Sequence, residues 1–373
     1  MRRSLEDAVH RDLEKKMVLI TGPRQVGKTW LAKRIASAYE RPAYLDYDNF
    51  DDREVIERRA WHAETDLLVL DEVHKMDACK TFLKGVFDTR PAKMHILVTG
   101  SARLDTFRRG GDSLAGRFFL HRLMPFSIAE LAGTDLGGDL DRLMERGGFP
   151  EPLLAETRVD AERWRLQYLD SLIRGDVLDL GRVAEIRRME LLVELLRRRV
   201  GSLLSYNSIA RDLKISPPTA KSYVDILEAL FIVFRVTPHS RNISRSLQKS
   251  PKLYFHDSGM VLGDDGARLE NTVAAALLKD AMARTDETGK RRTLHYLRTK
   301  EGKEVDFCVC EGDRPEAMYE VKTSGSKIDP SLRYFFDRYG IPATQIARDA
   351  PRPLTVDGVH VLPARGFLKG LFR

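Results

Sequence analysis

The chain has 373 residues, of which 43% are hydrophobic and 31% are charged. This length corresponds to roughly two to three domains, and the composition excludes a disordered or collagen-like chain. Lys and Arg number 62 against 55 Asp and Glu, and the resulting charge of +7 permits a polyanionic partner without requiring one. No apolar run reaches the ~20 residues of a membrane helix and no secretory signal is visible, which predicts a cytoplasmic protein without a membrane anchor.

The three cysteines, Cys79, Cys308 and Cys310, favour a reducing compartment. Their number is odd and none belongs to a CxxC pair, so we expect neither a disulfide scaffold nor a thiolate zinc site. Cys308 and Cys310 are two residues apart, which places them on one face if the segment is a strand. Ordinary packing is favoured over a redox role for this pair.

Residues 1–130 read as alternating strands and helices, which predicts a doubly wound α/β domain. Short apolar strands separated by helix-period segments are typical of a parallel sheet covered on both faces. The predicted strands are Met17–Thr21, Ala43–Tyr47, Asp66–Asp71, His95–Gly100 and Phe118–Leu123.

The segment GPRQVGKT, Gly22 to Thr29, fits the pattern GxxxxGK[ST] between a strand and a helix. The loop N–H groups and the helix N-terminus would cradle phosphates, Lys28 would neutralise them, and Thr29 would coordinate Mg²⁺. A chance glycine-rich turn is the alternative. The predicted ATP-contacting residues are Gly22, Pro23, Arg24, Gln25, Val26, Gly27, Lys28, Thr29 and Trp30.

A second apolar strand, LLVL, delivers Asp71 and Glu72 at its carboxyl end. Ligands bind at that edge of parallel α/β sheets. Asp71 would hold Mg²⁺, directly or through water, and Glu72 would polarise the attacking water. The alternative is that the two acids end the strand and cap the next helix.

Polar residues also flank the next two predicted strands. Thr99 and Ser101 lie at the end of the fourth strand, and Arg117 lies just before the fifth. Thr99 or Ser101 would sense the γ-phosphate and position water, unless they only form the turn. Arg117 stands just before the last strand and would reach the γ-phosphate of a neighbouring subunit as an arginine finger, a homo-oligomer being implied only by analogy. Arg103 is a weaker candidate for the same role, and a surface arginine is the alternative.

GPRQVGKT, LLVLDEVHK, LVTGSARL and LAGRFFLHRLMPFSIAEL together resemble the prokaryotic AAA+ ATPases whose ATPase module precedes a partner domain long catalogued without a function. YLDSLIRGDVLDLGR and KSPKLYFHDSGM extend the resemblance over nearly the whole chain. It implies ATP binding and hydrolysis with Mg²⁺, and a helical lid over residues 131–187. Arg174 or Arg182 would then sense nucleotide, with helix-surface pairing as the alternative.

Residues 188–250 contain a helix-turn-helix pattern from Ser205 to Phe231, in which Ser216 caps the second helix. The second helix of such a motif enters the major groove of DNA. A rigid protein-interaction or lid-extension module is the alternative. The predicted DNA contacts are Thr219, Lys221 and Ser222 on the helix, and Arg241, Arg245, Lys249 and Lys252 on a basic wing.

Residues 251–373 combine a helix, Leu269–Ala283, with a predicted antiparallel meander of three strands, Leu294–Arg298, Glu304–Cys310 and Ala317–Lys322. Glu320 and Lys322 share a face of the third strand, and Asp306 on the second strand would join them. With Glu270 from the helix, these carboxylates would hold a metal while Lys322 orients or activates water.

This D…ExK pattern resembles the restriction-endonuclease-like fold, although Val305 stands where that family often has proline. The predicted fold is therefore α/β: a P-loop AAA+ sheet with a helical lid, then a winged helix and a mixed α/β nuclease-like domain. Three functions follow. The first is an ATPase acting on DNA, with metal-dependent DNA cleavage by Asp306, Glu320 and Lys322. The second is a nucleotide-gated DNA- or protein-binding switch with a silent nuclease fold, and the third is a protein-remodelling ATPase.

Overall fold

The computed structural model divides the chain into two units. The N-terminal unit is Met1–Met124 with Asp286–Gly289, and the C-terminal unit is Pro125–Thr285 with Lys290–Arg373. Within the described part of the chain, no helix combines the length and the apolar character needed to cross a membrane. The finer division at residues 130, 187 and 250 stays a prediction. The structure describes residues 1–100, 114–177, 183–239, 250–325 and 327–372.

The N-terminal unit is built on a five-stranded sheet with the order β2-β3-β4-β1-β5. Every pair of neighbouring strands is parallel, which confirms the doubly wound α/β prediction. Its strands are β1 (Met17–Thr21), β2 (Pro42–Asp46), β3 (Leu67–Asp71), β4 (His95–Thr99) and β5 (Phe118–Arg122). Its helices are α1 (Glu6–Leu13), α2 (Lys28–Ala36), α3 (Phe50–Arg58) and α4 (Cys79–Thr89).

The middle of this sheet is apolar on both faces. Every residue of β1 and β3 is buried, whereas β2 at the edge is mostly half-buried or exposed. Leu19, Leu68 and Val98 belong to one core cluster that extends into α4. Because the strands run in the same direction, the carboxyl ends of β1, β3 and β4 meet at one edge, where the polar residues of the candidate site follow.

Within its described residues, the C-terminal unit begins with five helices, which confirms the predicted helical character of this region. They are α5 (Ile128–Leu131), α6 (Leu140–Arg146), α7 (Pro150–Leu154), α8 (Arg158–Val177) and α9 (Val183–Arg197). The chain breaks between α6 and α7 at Gly147, where φ is +73° and a Cβ would lie 1.4 Å from Asp257 Oδ1. Asp257 also accepts a buried 3.2 Å bond from Arg165 Nε, so α8 is anchored to the segment after the hairpin.

The predicted pair of helices with a tight turn is present as α10 (Tyr206–Leu213) and α11 (Pro217–Ala229). Ser216 caps α11 by accepting a 3.2 Å bond from the N–H of Thr219, as the sequence indicated. Val224 and Leu227 of α11 are fully buried and form its apolar stripe. An antiparallel hairpin follows, made of β6 (Val233–Pro238) and β7 (Lys252–Phe255).

This hairpin continues into an eight-stranded mixed sheet with the order β12-β13-β11-β10-β9-β8-β6-β7. The predicted meander is confirmed, since β9 is antiparallel to both β8 and β10. The parallel pairing of β6 with β8 was not predicted, and it makes the hairpin part of the C-terminal sheet. The remaining elements are α12 (Asp265–Thr288), β8 (Arg292–Arg298), β9 (Glu304–Glu311), β10 (Arg314–Lys322), α13 (Pro330–Tyr339), β11 (Ala343–Ala347), β12 (Leu354–Val356), β13 (Val359–Pro363) and α14 (Ala364–Gly370).

Candidate functional site

The loop between β1 and α2 has a backbone that its glycines make possible. Gly22 has φ +151° and Gly27 has φ +98°, both in the region that favours glycine. A Cβ at Gly22 would lie 2.1 Å from the carbonyl oxygen of Leu123, so no other residue fits there without moving the backbone. Gly27 is the N-cap of α2 and brings no side chain to its first turn. The N–H groups at this helix end are therefore placed to bind an anion.

Lys28 is folded back over this loop. Its side chain is buried, and its ammonium donates to the carbonyl oxygens of Pro23 at 2.7 Å and Gly22 at 3.1 Å. Burial lowers the pKa of Lys28 to about 8, against an opposing effect of the Glu72 and Asp71 carboxylates. The loop thus holds a cation next to its phosphate-binding N–H groups.

Asp71, at the end of β3, is 1% exposed and is saturated with hydrogen bonds. Its Oδ2 accepts from the hydroxyls of Thr29 at 2.7 Å and Tyr44 at 2.6 Å. Its Oδ1 accepts from the Thr99 hydroxyl and from the N–H of Glu72. Burial and the bond to Asp71 raise the pKa of Tyr44, so that its hydroxyl stays a donor. Thr29 and Asp71 thus present two adjacent oxygens, a donor set that fits a partly hydrated Mg²⁺.

Glu72 adopts the left-handed conformation with φ +53°, an uncommon backbone geometry for a residue with a side chain. Its carboxylate lies 3.6 Å from Lys75 Nζ and 3.7 Å from His74 Nε2. Burial raises the pKa of Glu72, partly opposed by Lys75 and Lys28. A raised pKa suits a carboxylate that accepts a proton from water near neutral pH.

Two residues that support this site were missed at the sequence level. Arg3 is 2% exposed and donates to the carbonyl oxygen of Val26 in the loop at 3.4 Å and to that of Met124. No motif surrounds Arg3, so nothing in the sequence signals this role. Tyr44 belongs to β2, whose register beside β3 brings its hydroxyl to Asp71. The sequence predicted a parallel sheet but not which strands are neighbours, so it gave no signal for this contact.

The other predicted nucleotide-contacting residues differ in their surroundings. Val26 is fully buried, whereas Arg24 and Gln25 are exposed at the tip of the loop. Trp30 is 45% exposed on the first turn of α2, with the Arg34 guanidinium 5.6 Å from its ring centroid.

Arg117 lies at the opposite edge of the sheet. Its carbonyl accepts from the N–H of Met17 at the amino end of β1, and its guanidinium makes a bidentate pair with Asp88 at 2.7 and 3.0 Å. The five residues of β1 span about 16 Å, so Arg117 is too far from the loop between β1 and α2 of its own chain to contact a ligand bound there. The candidates Ser101 and Arg103 lie outside the described residues.

The predicted sensor arginines and DNA contacts fall in the C-terminal unit. Arg174 is exposed and pairs with Asp170 and Glu190, which is ordinary helix-surface pairing. Lys221 and Ser222 are exposed on α11, and Thr219 is half-buried with its hydroxyl 2.7 Å from that of Ser216. Arg182, Arg241, Arg245 and Lys249 lie outside the described residues.

The structure contradicts the predicted phosphate contact of Lys252. This lysine is 4% exposed in β7, and its ammonium lies 2.8 Å from Glu304, 3.2 Å from Asp306 and 3.8 Å from Glu270. Burial opposes its charge, but Asp306, Glu270 and Glu304 together raise the pKa of Lys252. The sequence placed Lys252 on a wing because it ends a basic run, whereas the pairing of the hairpin with the C-terminal sheet buries it.

Two of the predicted nuclease-like residues, Glu270 and Asp306, lie around this lysine, and Glu320 lies beside Asp306. Tyr254 donates a 2.7 Å bond to Glu270, and burial followed by the charge of Asp306 raises the pKa of Glu270 to about 7. Asp306 accepts from the N–H of Val321 at 3.0 Å, and its own N–H donates to Glu320 at 3.2 Å.

Glu320 and Lys322 share a face, as predicted. Lys322 donates to Glu320 at 2.8 Å and contacts Asp329 at 3.0 Å. Burial and the charge of Asp306 raise the pKa of Glu320 to about 8. As arranged, the cluster does not fit a divalent metal, because Glu270, Asp306 and Glu320 do not appear among the described ligand atoms that lie within 4.8 Å of one another, and the Lys252 ammonium lies between Glu270 and Asp306.

Residues 14–132 match a family model described as an AAA domain. This part of the chain is an AAA-type P-loop ATPase domain. Residues 137–264 and 265–366 match two further family models, each described as a domain of unknown function, DUF8612 and DUF4143. The AAA domain covers the loop, Asp71 and Glu72, so the sequence match and the geometry point to the same site.

Curated relatives align over most of the chain. The uncharacterized proteins Rv2008c of Mycobacterium tuberculosis and Mb2031c of Mycobacterium bovis are each 29% identical over 336 residues, covering 88% of this chain and 75% of the relative. The uncharacterized protein MJ1637 of Methanocaldococcus jannaschii is 23% identical over 323 residues, covering 70% of this chain and 67% of its own.

Solved structures show a distant likeness. A Walker-type ATPase of Pyrococcus abyssi has a TM-score of 0.44 at 17% identity, covering 70% of this chain and 94% of its own. The Thermotoga maritima RuvB Holliday junction branch migration motor has a TM-score of 0.30 at 17% identity, covering 62% of this chain and 86% of its own. At these scores no property of either protein follows for this chain.

Proposed function

We propose that this protein binds and hydrolyses ATP and that its ATP cycle controls DNA binding by the helix-turn-helix region. The observation that carries the proposal is the convergence of Lys28, Thr29, Asp71 and Glu72 at the carboxyl edge of one parallel sheet. The AAA domain match over residues 14–132 supports the ATPase part. The DNA part is supported by α10, α11 and the hairpin that follows them, the element order of a winged helix.

Each residue at the edge of the sheet has a role that its geometry permits. The N–H groups of the loop and of the first turn of α2 bind the phosphates, and Lys28 exchanges its carbonyl partners for phosphate oxygens. Thr29 and Asp71 would hold Mg²⁺, which when bound neutralises charge on the β- and γ-phosphates. Thr99 orients the Asp71 carboxylate. Glu72 accepts the proton of the attacking water.

Contacts of Glu72 suggest how hydrolysis is restrained before ATP binds. Lys75 lies within 3.6 Å of the Glu72 carboxylate and also pairs with Asp48. A carboxylate engaged by an ammonium is a weaker base than a free one, because the cation favours its charged form. We infer that Glu72 must leave Lys75 to activate water.

DNA contact would use the exposed face of α11. Lys221 and Ser222 are exposed there, and the net charge of +7 favours a polyanion. The same helix carries Asp225 and Glu228, but both pair with Arg235 of β6. The single guanidinium offsets half of their charge, and the exposed Lys221 remains on this helix to contact phosphates.

The C-terminal carboxylates support a silent nuclease fold rather than a cleaving one. Asp306 and Glu270, which would have to hold the metal, lie instead beside the buried ammonium of Lys252. Displacing that ammonium would leave a buried cation without partners, which is energetically costly. We therefore favour a nucleotide-gated DNA-binding protein without nuclease activity. The experiment described next would also detect DNA cleavage if it occurs.

The test measures ATPase activity with Mg²⁺, with and without single- or double-stranded DNA, while the same DNA is followed on a gel. Lys28→Ala should lose ATP binding, whereas Lys93→Ala, an exposed lysine in the turn before β4, should keep it. Glu72→Gln should bind ATP and fail to hydrolyse it. Stimulation without cleavage supports the proposal, and cleavage that is lost in Asp306→Ala would restore the nuclease hypothesis. ATPase activity indifferent to DNA would favour protein remodelling.

Arg117 supports a proposal about assembly. It lies on the sheet edge opposite the loop and is exposed enough to meet another molecule, so an arginine finger would have to act between copies. Specific ATPase activity should then rise with protein concentration. Mixing Arg117→Ala with Lys28→Ala should restore part of the activity, because each variant supplies what the other lacks. Concentration-independent activity with no restoration would assign Arg117 to its structural pair with Asp88.

A further inference from the structure

Two histidines and two cysteines gather where the end of β6 meets β8 and β9. Ligand atoms of His239, His295 and Cys310 all lie within 4.8 Å of one another, the one such trio of His, Cys, Asp or Glu side chains among the described residues. Cys308 lies two residues before Cys310 on β9, with its sulfur 3.9 Å away. None of these residues takes part in the proposed ATP cycle.

The sheet explains why residues so distant in sequence converge. His295 of β8 is the register partner of Cys308 of β9, so their side chains share a face. Cys310 points to that face too, because it is two residues further along the strand. Thr237 pairs with His295 in the parallel β6–β8 ladder, and His239 follows two residues later, with the two imidazole centroids 5.8 Å apart.

Two separations, both from Cys310 Sγ, match those of a tetrahedral zinc site. Zinc lies about 2.3 Å from thiolate sulfur and about 2.0 Å from imidazole nitrogen, which separates two sulfurs by roughly 3.8 Å and sulfur from nitrogen by roughly 3.6 Å. Here the two sulfurs are 3.9 Å apart, and Cys310 Sγ lies 3.6 Å from His239 Nδ1. Thiolate and imidazole are the donors that zinc prefers, unlike the oxygen ligands of Mg²⁺.

The surroundings also suit a metal. His295 Nδ1 lies 3.3 Å from the carbonyl oxygen of Thr237 and its Nε2 lies 2.9 Å from the Thr293 hydroxyl. When one of these nitrogens binds the metal, the contact of the other nitrogen would fix the orientation of the imidazole. His239 also lines a cavity of ≈ 740 Å³, which gives an ion a route to the site.

We propose that His239, His295 and Cys310 bind a zinc ion, and that the side chain of Cys308, which lies outside this trio, turns to bring its sulfur in as the fourth ligand. The ion would link the end of β6 to β8 and β9. It would thereby stabilise the packing of the β6–β7 hairpin, which follows the helix-turn-helix, against the C-terminal sheet. Two thiolates and two neutral imidazoles balance the charge of Zn²⁺. The spacing rule argued against a thiolate site within one short segment, whereas these ligands would come from β8, β9 and the residue that follows β6.

The test uses the full chain, freed of metal by a chelator and kept with a non-thiol reductant. One equivalent of Zn²⁺ should bind, and Co²⁺ in its place should give the intense thiolate-to-cobalt absorption of a tetrahedral site. Removing the metal should lower the thermal midpoint of the protein. Binding of no metal by the folded chain, or Co²⁺ binding without the thiolate band, would overturn the proposal.

Variants identify the ligands. Cys310→Ser and His239→Ala should lose stoichiometric binding, whereas Cys79→Ser, a buried cysteine in the N-terminal unit, should keep it. Cys308→Ser should lose about half of the thiolate band, since one of two sulfurs is removed. An undiminished band in that variant would remove Cys308 from the ligand set. Because the wild-type cobalt spectrum decides the proposal alone, a variant that fails to fold does not affect it.

Discussion

Replacing Lys252 by methionine tests the buried charge cluster of the C-terminal unit. Methionine keeps most of the side-chain length and removes the ammonium, which lies 2.8 Å from Glu304, 3.2 Å from Asp306 and 3.8 Å from Glu270. Breaking a buried ion pair by removing one partner costs about 3–5 kcal/mol, because the other charge is left buried and unpaired. Three carboxylates share this cation, so we expect a loss of about 4 kcal/mol in the free energy of unfolding.

The natural tryptophans allow the C-terminal unit to be observed alone. Of the 3 tryptophans, Trp30 and Trp61 belong to the N-terminal unit, and Trp164 is buried against Tyr168 in α8. With Trp30→Phe and Trp61→Phe as background, urea unfolding followed by fluorescence reports the surroundings of Trp164. A change in the midpoint at constant slope then measures stability.

Two controls separate this explanation from a general loss of packing. Lys221→Met, an exposed lysine on α11, should change stability by less than about 0.5 kcal/mol. The deficit of Lys252→Met should shrink from about pH 8 to about pH 5, because the stranded carboxylates are then neutralised by protons. A deficit below about 1 kcal/mol, or one that does not change with pH, would refute the ion-cluster argument.

Three further predictions concern both sites. Since the pKa of Lys28 is about 8 in the free protein, ATP affinity should fall roughly tenfold from about pH 7 to about pH 9. Calorimetry should show that ATP binding takes up a proton at the upper end of this range. Lys28→Arg should abolish this pH dependence. Gly22→Ala should lose ATP affinity, measured with a fluorescent nucleotide, because its Cβ would lie 2.1 Å from the Leu123 carbonyl oxygen, and unchanged affinity would contradict the loop geometry. The raised pKa of Glu320, about 8, adds stability that is full below about pH 4.5 and lost as pH rises through 8. Unfolding across that range should show a drop of a few kcal/mol that Glu320→Gln removes.

Much of the nucleotide site could be predicted from sequence because its chemistry is local. The spacing of Gly22, Gly27, Lys28 and Thr29 is a property of one loop, and Asp71 ends an apolar strand whose direction the alternating pattern fixes. The structure confirms the strands within one residue at each end and places Thr29 against Asp71. The nucleotide site could thus be predicted because its residues are specified by backbone requirements within short segments of the chain.

The supporting contacts of that site could not be predicted in the same way. Arg3 reaches Val26 from the start of the chain, and the hydroxyl of Tyr44 reaches Asp71 from an edge strand. Both contacts depend on which strands are neighbours and on how α1 packs. No short-range pattern contains that information.

In the C-terminal unit the sequence determined the residue types, and the tertiary structure decided their roles. The D…ExK pattern brought Asp306, Glu320 and Lys322 together as predicted, because neighbouring strands of a meander have fixed register. The parallel pairing of β6 with β8 was invisible in the sequence, since its partners are about 60 residues apart and paired through backbone atoms. That pairing moved Lys252 from a predicted DNA surface into a carboxylate cluster and brought His239 to Cys310. The physical reason is that the pairing of strands far apart in sequence depends on the packing of the whole unit, which no short segment specifies.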